Sequence, residues 1–154
     1  MEKFKSFYKA HKDRLFSYLL KMTGDYFLAA DMMQESFTRY LENYGDEGRA
    51  ALLFTIARHA VIDSYRRPDR GLRPLEECDP VATDQEARYL VRDECRRVLA
   101  ALQKLDRDER DILTLVVGSG LAYREIAEVA GLSEANVKVK VHRARLKLKK
   151  ILAE

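Results

Sequence analysis

The sequence predicts an all-α fold, with two small helical domains joined by a linker and a helix-turn-helix in the second. Three observations carry this. Apolar residues recur at three- and four-residue steps through most of the 154 residues. A stretch at 68–84 holding Pro68, Gly71, Pro74 and Pro80 interrupts that period. Residues 121–151 read LAYREIAEVAGLSEANVKVKVHRARLKLKKI, a short amphipathic segment, a glycine and a longer amphipathic segment. The expected units are 1–67, a linker at 68–84, and 85–154.

The first unit divides into three helices. Phe4, Tyr8, His11, Leu15, Leu19 and Met22 make one stripe, widened by Phe7, Phe16 and Tyr18, until Thr23-Gly24-Asp25 breaks it. The second helix spans about 26–44, with Ala30, Met33, Phe37, Leu41 and Tyr44 inward, joined by Ala29 and Tyr40. Gly45 and Gly48 bracket a polar turn. The third spans about 49–66, with Leu52, Leu53, Ile56, Ala60 and Ile62 inward. Pro68 ends it, because a proline disfavours the helical conformation of the residue before it.

The second unit opens with a helix marked by Tyr89, Leu90, Cys95, Val98, Leu99 and Leu102. Asp106 and Glu109 stand three apart just before Ile112, Leu113, Leu115 and Val116, the spacing of a capping box. Gly118 and Gly120 close that helix. Residues 123–130 form the next, with Ile126, Ala127 and Ala130 inward. Gly131 supplies the turn, where lacking a Cβ permits positive φ, and Ser133 caps the last helix by accepting a bond from an exposed amide. The alternation Val137-Lys138-Val139-Lys140-Val141 taken alone suggests a strand. Val137, Val141, Ala144, Leu148 and Ile151 extend a helical stripe over fourteen residues and decide for a helix.

Composition narrows the function classes. Hydrophobic residues make up 47% of the chain, enough for real cores, and charged residues 34%. The formal net charge is only +3, so positive charge must be localised to act on nucleic acid. It is concentrated in the last helix, whereas 76–86 is acidic. Cys78 and Cys95 form no CxxC and have no histidine at ligand spacing, so both are expected as free thiols in a reducing compartment, and no metal is expected. The amphipathic N-terminus is not a signal peptide, and no window has the roughly 18 apolar residues of a membrane span. A cytoplasmic protein without membrane insertion is expected. Gly118-Ser119-Gly120 lacks the lysine of a phosphate loop, and His11, His59 and His142 lack mutual ligand spacing. No catalytic residue and no cofactor are expected.

Three clusters remain as candidate sites. In the last helix the apolar stripe sets which residues face out: Asn136, Lys140 and Arg143, flanked by Glu134 and Lys138. Arginine and lysine donate to guanine acceptors, and asparagine pairs with adenine, so this is the form of a helix that reads a DNA groove. Tyr123 and Arg124 open the preceding helix and can reach the backbone. The bland alternative is a solvated basic helix. Asp31, Gln34, Glu35 and Thr38 share one face of the second helix, either a docking surface for a basic partner or an ordinary wet face. Arg58, His59, Asp63, Arg66 and Arg67 lie on the third helix, where the arginines can follow a phosphate backbone and Asp63 can orient Arg66 or Arg67. Tyr40, Tyr44, Phe54 and Tyr65 are either stacking platforms or core.

AADMMQESFTRYL at 29–41, FTIARHAVIDSYRR at 54–67 and LAYREIAEVAGLSEANVKVKVHRARLKLKKIL at 121–152 together resemble the extracytoplasmic-function subgroup (group 4) of bacterial sigma-70 factors. The resemblance covers nearly the whole chain. It implies a promoter-specificity subunit that binds core RNA polymerase, recognises −35 and −10 elements and assists promoter opening. On that resemblance Asp31, Gln34, Glu35 and Phe37 dock on the polymerase β′ coiled coil. The loop at 45–53 and the helix at 54–67 handle the −10 element, with Arg58, His59, Asp63, Arg66 and Arg67 as its contacts. Tyr123, Arg124, Glu134, Asn136, Lys138, Lys140 and Arg143 read the −35 element, and the second unit also touches the β flap. An anti-sigma protein is the implied regulator. The chain departs from the pattern in several places. Leu52-Leu53-Phe54 stands where Trp-Leu is frequent, the 34–56 segment is several residues short, Asp106 follows Leu105 where proline is common, and Asn136-Val137 replaces Thr-Val. Two other readings compete: a stand-alone duplex-binding regulator, and an adaptor that holds protein partners.

Overall fold

The computed structural model describes residues 2–45, 47–66 and 96–154. The linker at 68–84, Arg67, both cysteines, Tyr89 and Leu90 lie outside the described residues. Among those described, every regular element is an α-helix: α1 (Glu2–Thr23), α2 (Tyr26–Tyr44), α3 (Ala50–Tyr65), α4 (96–103), α5 (Arg107–Gly118), α6 (Tyr123–Ala130) and α7 (Glu134–Ala153).

Local chemistry sets the boundaries. Gly24 has φ +69°, and Asp25 then caps α2 by accepting the Leu28 amide at 3.1 Å. Gly45 ends α2 at φ +58°. The Tyr40 hydroxyl, fully buried, accepts the Arg49 amide at 2.9 Å and so ties the start of α3 back onto α2. At α5 the Glu109 carboxylate accepts the Asp106 amide at 3.3 Å, the expected capping geometry. Glu125 does the same for Ala122 at 3.1 Å, a cap that sequence does not announce because Ala122 cannot return the bond.

α1, α2 and α3 pack around an aromatic core. Phe7 stacks on Tyr40 with ring centroids 4.7 Å apart, Phe37 meets Phe7 and Tyr8 edge-on, and Tyr18 meets Phe54 at 5.7 Å. Such offset and edge-to-face pairs add to the burial of large apolar area. The α1 stripe is as expected, with Phe7, Leu15, Tyr18, Leu19 and Met22 buried.

The inward faces of α2 and α3 agree with the expected ones in part: Ala29, Phe37, Tyr40 and Leu53 are buried as expected, and the rest of each face differs. α2 buries Ala29, Met32, Ser36, Phe37 and Tyr40, while Tyr44 is exposed and Ala30, Met33 and Leu41 are half-buried. α3 buries Ala51, Leu53, Phe54, Ala57 and Val61, and leaves Leu52, Ile56, Ala60 and Ile62 half-buried. The physical reason is that α3 packs against α1, α2 and α6 at once. Apolar residues then surround most of its circumference, and spacing alone does not say which side is deepest.

In the second half, α5, α6 and α7 pack on one another, and α5 also packs on α1. Leu99, Ala101, Leu102 and Leu105 are buried around α4, whereas Val98 is exposed. α6 buries Ile126, Ala127 and Val129, with Ala130 only half-buried. α7 buries Val137, Val141 and Ala144, with Leu148 and Ile151 packed against the core, as its stripe requires.

Candidate nucleic-acid interface and the junction between the halves

The helix-turn-helix is built by three adjacent residues. Gly131 sits at φ +69°, ψ +35°, and its amide donates to the Ala127 and Glu128 carbonyls. The Leu132 amide returns to the Ala127 carbonyl at 2.9 Å, which closes α6. Ser133 then accepts the Asn136 amide at 3.1 Å and opens α7. The apolar stripe is held inward, so the opposite face is free. Glu134, Asn136, Lys138 and Arg143 are exposed, as is Arg124 on α6. Lys138 lies over the Tyr123 ring at 5.8 Å, which links the two helices through a cation–π contact. Lys140 is half-buried, not projected into solvent with the others.

On α5, Glu109 binds Lys147 of α7 at 2.8 Å. The bond from Lys147, against a small cost of burial, holds the Glu109 carboxyl below its ordinary range.

On α2, Asp31, Gln34 and Glu35 are exposed on one face. Glu35 pairs with Arg39 one turn on, at 2.6 Å, with both side chains about half exposed. Pairs of this kind are weak and exchange readily with solvent or a partner. Phe37 is a correction. It is only 4% exposed and packs among Phe4, Phe7 and Tyr8, so it supports the acidic face from beneath and is not available as a docking contact. Aromatic width on α2 is met by aromatic width on α1, and the ring is consumed there.

On α3 the candidates divide. His59, Asp63 and Arg66, four and three residues apart, are all exposed, Arg58 is half-buried, and Arg67 lies outside the described residues. Asp63 and Arg66 are joined through the backbone, Arg66 N–H to the Asp63 carbonyl at 3.1 Å, and among the described residues no ion pair links their side chains. Tyr40 and Phe54 are fully buried and so are core, not stacking platforms. Tyr65 is half-buried, with the Arg107 guanidinium 3.8 Å over its ring. Burial raises the Tyr65 pKa against the opposing pull of Arg110 and Arg107.

Arg58 points into the junction between the halves. Its Nε donates to Asp111 Oδ2 at 2.7 Å, and the Tyr18 hydroxyl donates to Asp111 Oδ1 at 2.6 Å. Burial works against the Arg58 charge, but the hydrogen bond and charge of Asp111 outweigh it and raise its pKa. Burial, then the Asp111 charge, pushes the Tyr18 hydroxyl well above its ordinary range, and Arg58 opposes only in part. Asp111 was not among the residues expected from sequence, although a signal was there. It lies one helical turn before Leu115, on the face that α5 buries, and a buried acid requires partners. Further bonds cross the same junction: Gln103 Nε2 to the Lys21 carbonyl at 2.9 Å and Arg110 Nη2 to the Tyr65 hydroxyl at 3.5 Å. Arg49 of the first half reaches Glu128 of α6 at 3.6 Å.

Residues 7–71 match Sigma-70 region 2, and residues 95–148 match Sigma-70, region 4. The RNA polymerase sigma factor YlaC of Bacillus subtilis is 32% identical over 93% of this chain and 88% of its own length. The ECF RNA polymerase sigma factor EcfG of Rhodopseudomonas palustris is 30% identical over 88% of this chain and 77% of its own. The chain belongs to the extracytoplasmic-function sigma factors of the sigma-70 family. Like them, this sigma factor is a promoter-specificity subunit for transcription initiation. Its fold agrees with that of the sigma factor RpoE of Bartonella quintana, solved with the anti-sigma factor NepR, at a TM-score of 0.76, 21% identity and coverage of 99% of this chain and 98% of that one.

Among the described residues there is no cluster of metal-ligating side chains, and no helix is long and apolar enough to cross a membrane.

Proposed function

We propose that this sigma factor divides its work among three surfaces. The exposed acids of α2, Asp31 and Glu35, with Gln34, dock on a basic face of core polymerase, the β′ coiled coil. Arg58, His59, Asp63 and Arg66 on α3, with Arg67, act at the −10 element. Tyr123, Arg124, Glu134, Asn136, Lys138, Lys140 and Arg143 read the −35 element, and the same unit contacts the β flap. The functional units are 1–67 and 85–154, joined at 68–84. The polymerase performs all nucleotide chemistry and the sigma factor is not an enzyme. It contributes binding that favours open over closed DNA. It works in the cytoplasm, and an anti-sigma protein restrains it, as NepR accompanies the RpoE structure.

The single observation that carries this reading is α7. Its apolar stripe is locked inward by Gly131 and Ser133, so Asn136, Lys138 and Arg143 stand exposed on one helix that follows a tight turn. That is the geometry by which a second helix enters the major groove.

The docking assignment has its own test. Glu35→Lys reverses an exposed charge without touching the core. It is expected to weaken binding to core polymerase by about tenfold or more, because like charges face each other across the interface. Quantitative competition against a reference sigma factor reads this directly. Unchanged affinity in a folded variant would remove α2 as the docking face.

A further inference from the structure

Beside α3 lies a cavity that none of the three proposed surfaces uses, although Arg58 and Arg66 stand in its wall. It measures ≈ 380 Å³, within the range of roughly 300–1,000 Å³ common to small-molecule sites. Part of its lining is apolar: Met22 and Val61 belong to buried residues, and Ile62 is half-buried. Part is charged and exposed, formed by Arg66, Arg107 and Asp108.

Charge in this lining is out of balance. Asp111 binds Arg58 at 2.7 Å, and the charge of Asp108 acts on the same guanidinium. Both acids of the cavity are thus answered by Arg58. Arg66 and Arg107 remain, and among the described residues neither has an ion pair. A third cation stands directly behind the wall. Arg110 is only 5% exposed, and it donates to the Gln103 carboxamide and, at 3.5 Å, to the Tyr65 hydroxyl. Its Nε has no partner among the described residues. A guanidinium so deep ordinarily rests on a carboxylate, because an unpaired buried charge is costly. Arg110 meets only neutral acceptors.

Arg107 is also prepared for a ligand. Its guanidinium lies 3.8 Å over the Tyr65 ring, and the Tyr65 hydroxyl is held by the Met22 carbonyl at 3.3 Å. A guanidinium stacked on its face keeps its N–H groups in plane for a phosphate or carboxylate. Its side chain is already ordered, which lowers the cost of binding. A small inorganic anion would satisfy the guanidiniums and leave the apolar wall uncovered. A planar ring covers Met22, Val61 and Ile62.

We propose that this cavity binds a small aromatic anion, a planar ring bearing a phosphate or a carboxylate. The anionic group sits on Arg107 and Arg66, in front of Arg110, and the ring lies against Met22, Val61 and Ile62. Nucleoside monophosphates and aromatic carboxylates share this chemistry. Arg107 lies outside every surface assigned to DNA or polymerase, so this proposal and those assignments fail separately.

Isothermal titration of the full chain, with thermal unfolding alongside, tests the site. The probes are AMP, GMP, CMP, UMP, salicylate and indole-3-carboxylate. Inorganic phosphate and acetate supply the anion without the ring, and adenosine and guanosine the ring without the anion. At least one probe is expected to bind saturably at one site and to raise Tm, because a ligand of the folded chain stabilises it. Whether that probe carries phosphate or carboxylate identifies the source. Its ring-free and anion-free counterparts are expected to bind at least tenfold more weakly.

Arg107→Gln is expected to weaken the probe by about tenfold, the scale of a lost charged hydrogen bond. Arg107 is exposed, so the fold is not at stake. Lys9→Gln removes the same charge from α1, outside the cavity lining, and is expected to leave the affinity unchanged. No saturable binding of any probe at millimolar concentration would overturn the proposal. So would ring-free anions that bind as well as the probes, or equal losses in Arg107→Gln and Lys9→Gln, since either would mean general attraction of charge.

Discussion

α3 and α7 both carry basic side chains assigned to DNA, yet they are built in opposite ways. α7 buries Val137, Val141 and Ala144 along one narrow line and leaves most of its circumference to solvent. α3 is embraced by α1, α2 and α6 and buries Ala51, Leu53, Phe54, Ala57 and Val61. A helix seated on a narrow stripe can be lowered into a groove with its reading face intact. A helix embraced by three others is a scaffold, and mainly its far end, from His59 to Arg66, reaches solvent. The comparison explains why Arg58, in the middle of α3, meets a protein carboxylate while Arg143 of α7 is exposed.

The contrast is sharpest in stability. Phe54 is fully buried and contacts Tyr18, so Phe54→Ala is expected to cost about 3–5 kcal/mol, read by chemical denaturation. A cost below about 1 kcal/mol would break the claim that α3 is scaffold, since it would lie within the range of ordinary surface changes. Next comes the turn that aims α7. Gly131 at φ +69° has nothing within 4 Å of an added Cβ, so Gly131→Ala strains the backbone alone. The expected cost is about 1–2 kcal/mol, the penalty for a side chain in left-handed conformation. No measurable cost would mean that the turn relaxes and that α7 is not rigidly aimed.

The smallest effect concerns the Glu109–Lys147 pair that joins α5 to α7. Lys147 is exposed, so the pair is screened and its contribution small. The sign is fixed by Glu109, whose carboxyl is held below its ordinary range. A depressed folded-state pKa gives stability that is complete above the unfolded value of about 4.3 and is lost as the pH falls through the folded value. Glu109→Gln is expected to lower stability slightly at neutral pH, where the contribution is complete, and its curve is expected to converge with the parent's as the pH falls below about 4.3, giving a flatter acid limb. An identical acid limb in the two proteins would show that the pair is not formed in solution.

The same contrast accounts for what could be read from sequence. α7 was legible in its cap at Ser133, its turn at Gly131 and its stripe, because a helix with one narrow buried line writes that line into its spacing. The box at Asp106 and Glu109 was legible for the same local reason. The faces of α2 and α3 were legible only in part, Ala29, Phe37, Tyr40 and Leu53 but not Met32, Ser36, Ala57 or Val61, because several neighbours make several sides apolar at once. Phe37 was assigned to docking on resemblance and lies in the core, since only the facing aromatics of α1 decide where its ring goes. The junction was least legible. Tyr18, Arg58 and Asp111 are far apart in the chain, and each has an ordinary local reading until the halves are brought together.

The central claim is that the exposed face of α7 specifies the −35 element independently of what α3 does at the −10 element. Run-off transcription with purified core polymerase and a promoter library randomised at both elements tests it most directly, comparing the parent with Asn136→Ala. Asn136 is exposed, so the substitution leaves the core untouched. The account predicts selective initiation by the parent. In the variant, preference at one or two −35 positions should relax by about 1–3 kcal/mol in discrimination, with the −10 preference unchanged. An unaltered −35 preference in the variant, or initiation by the parent without any −35 preference, would contradict it.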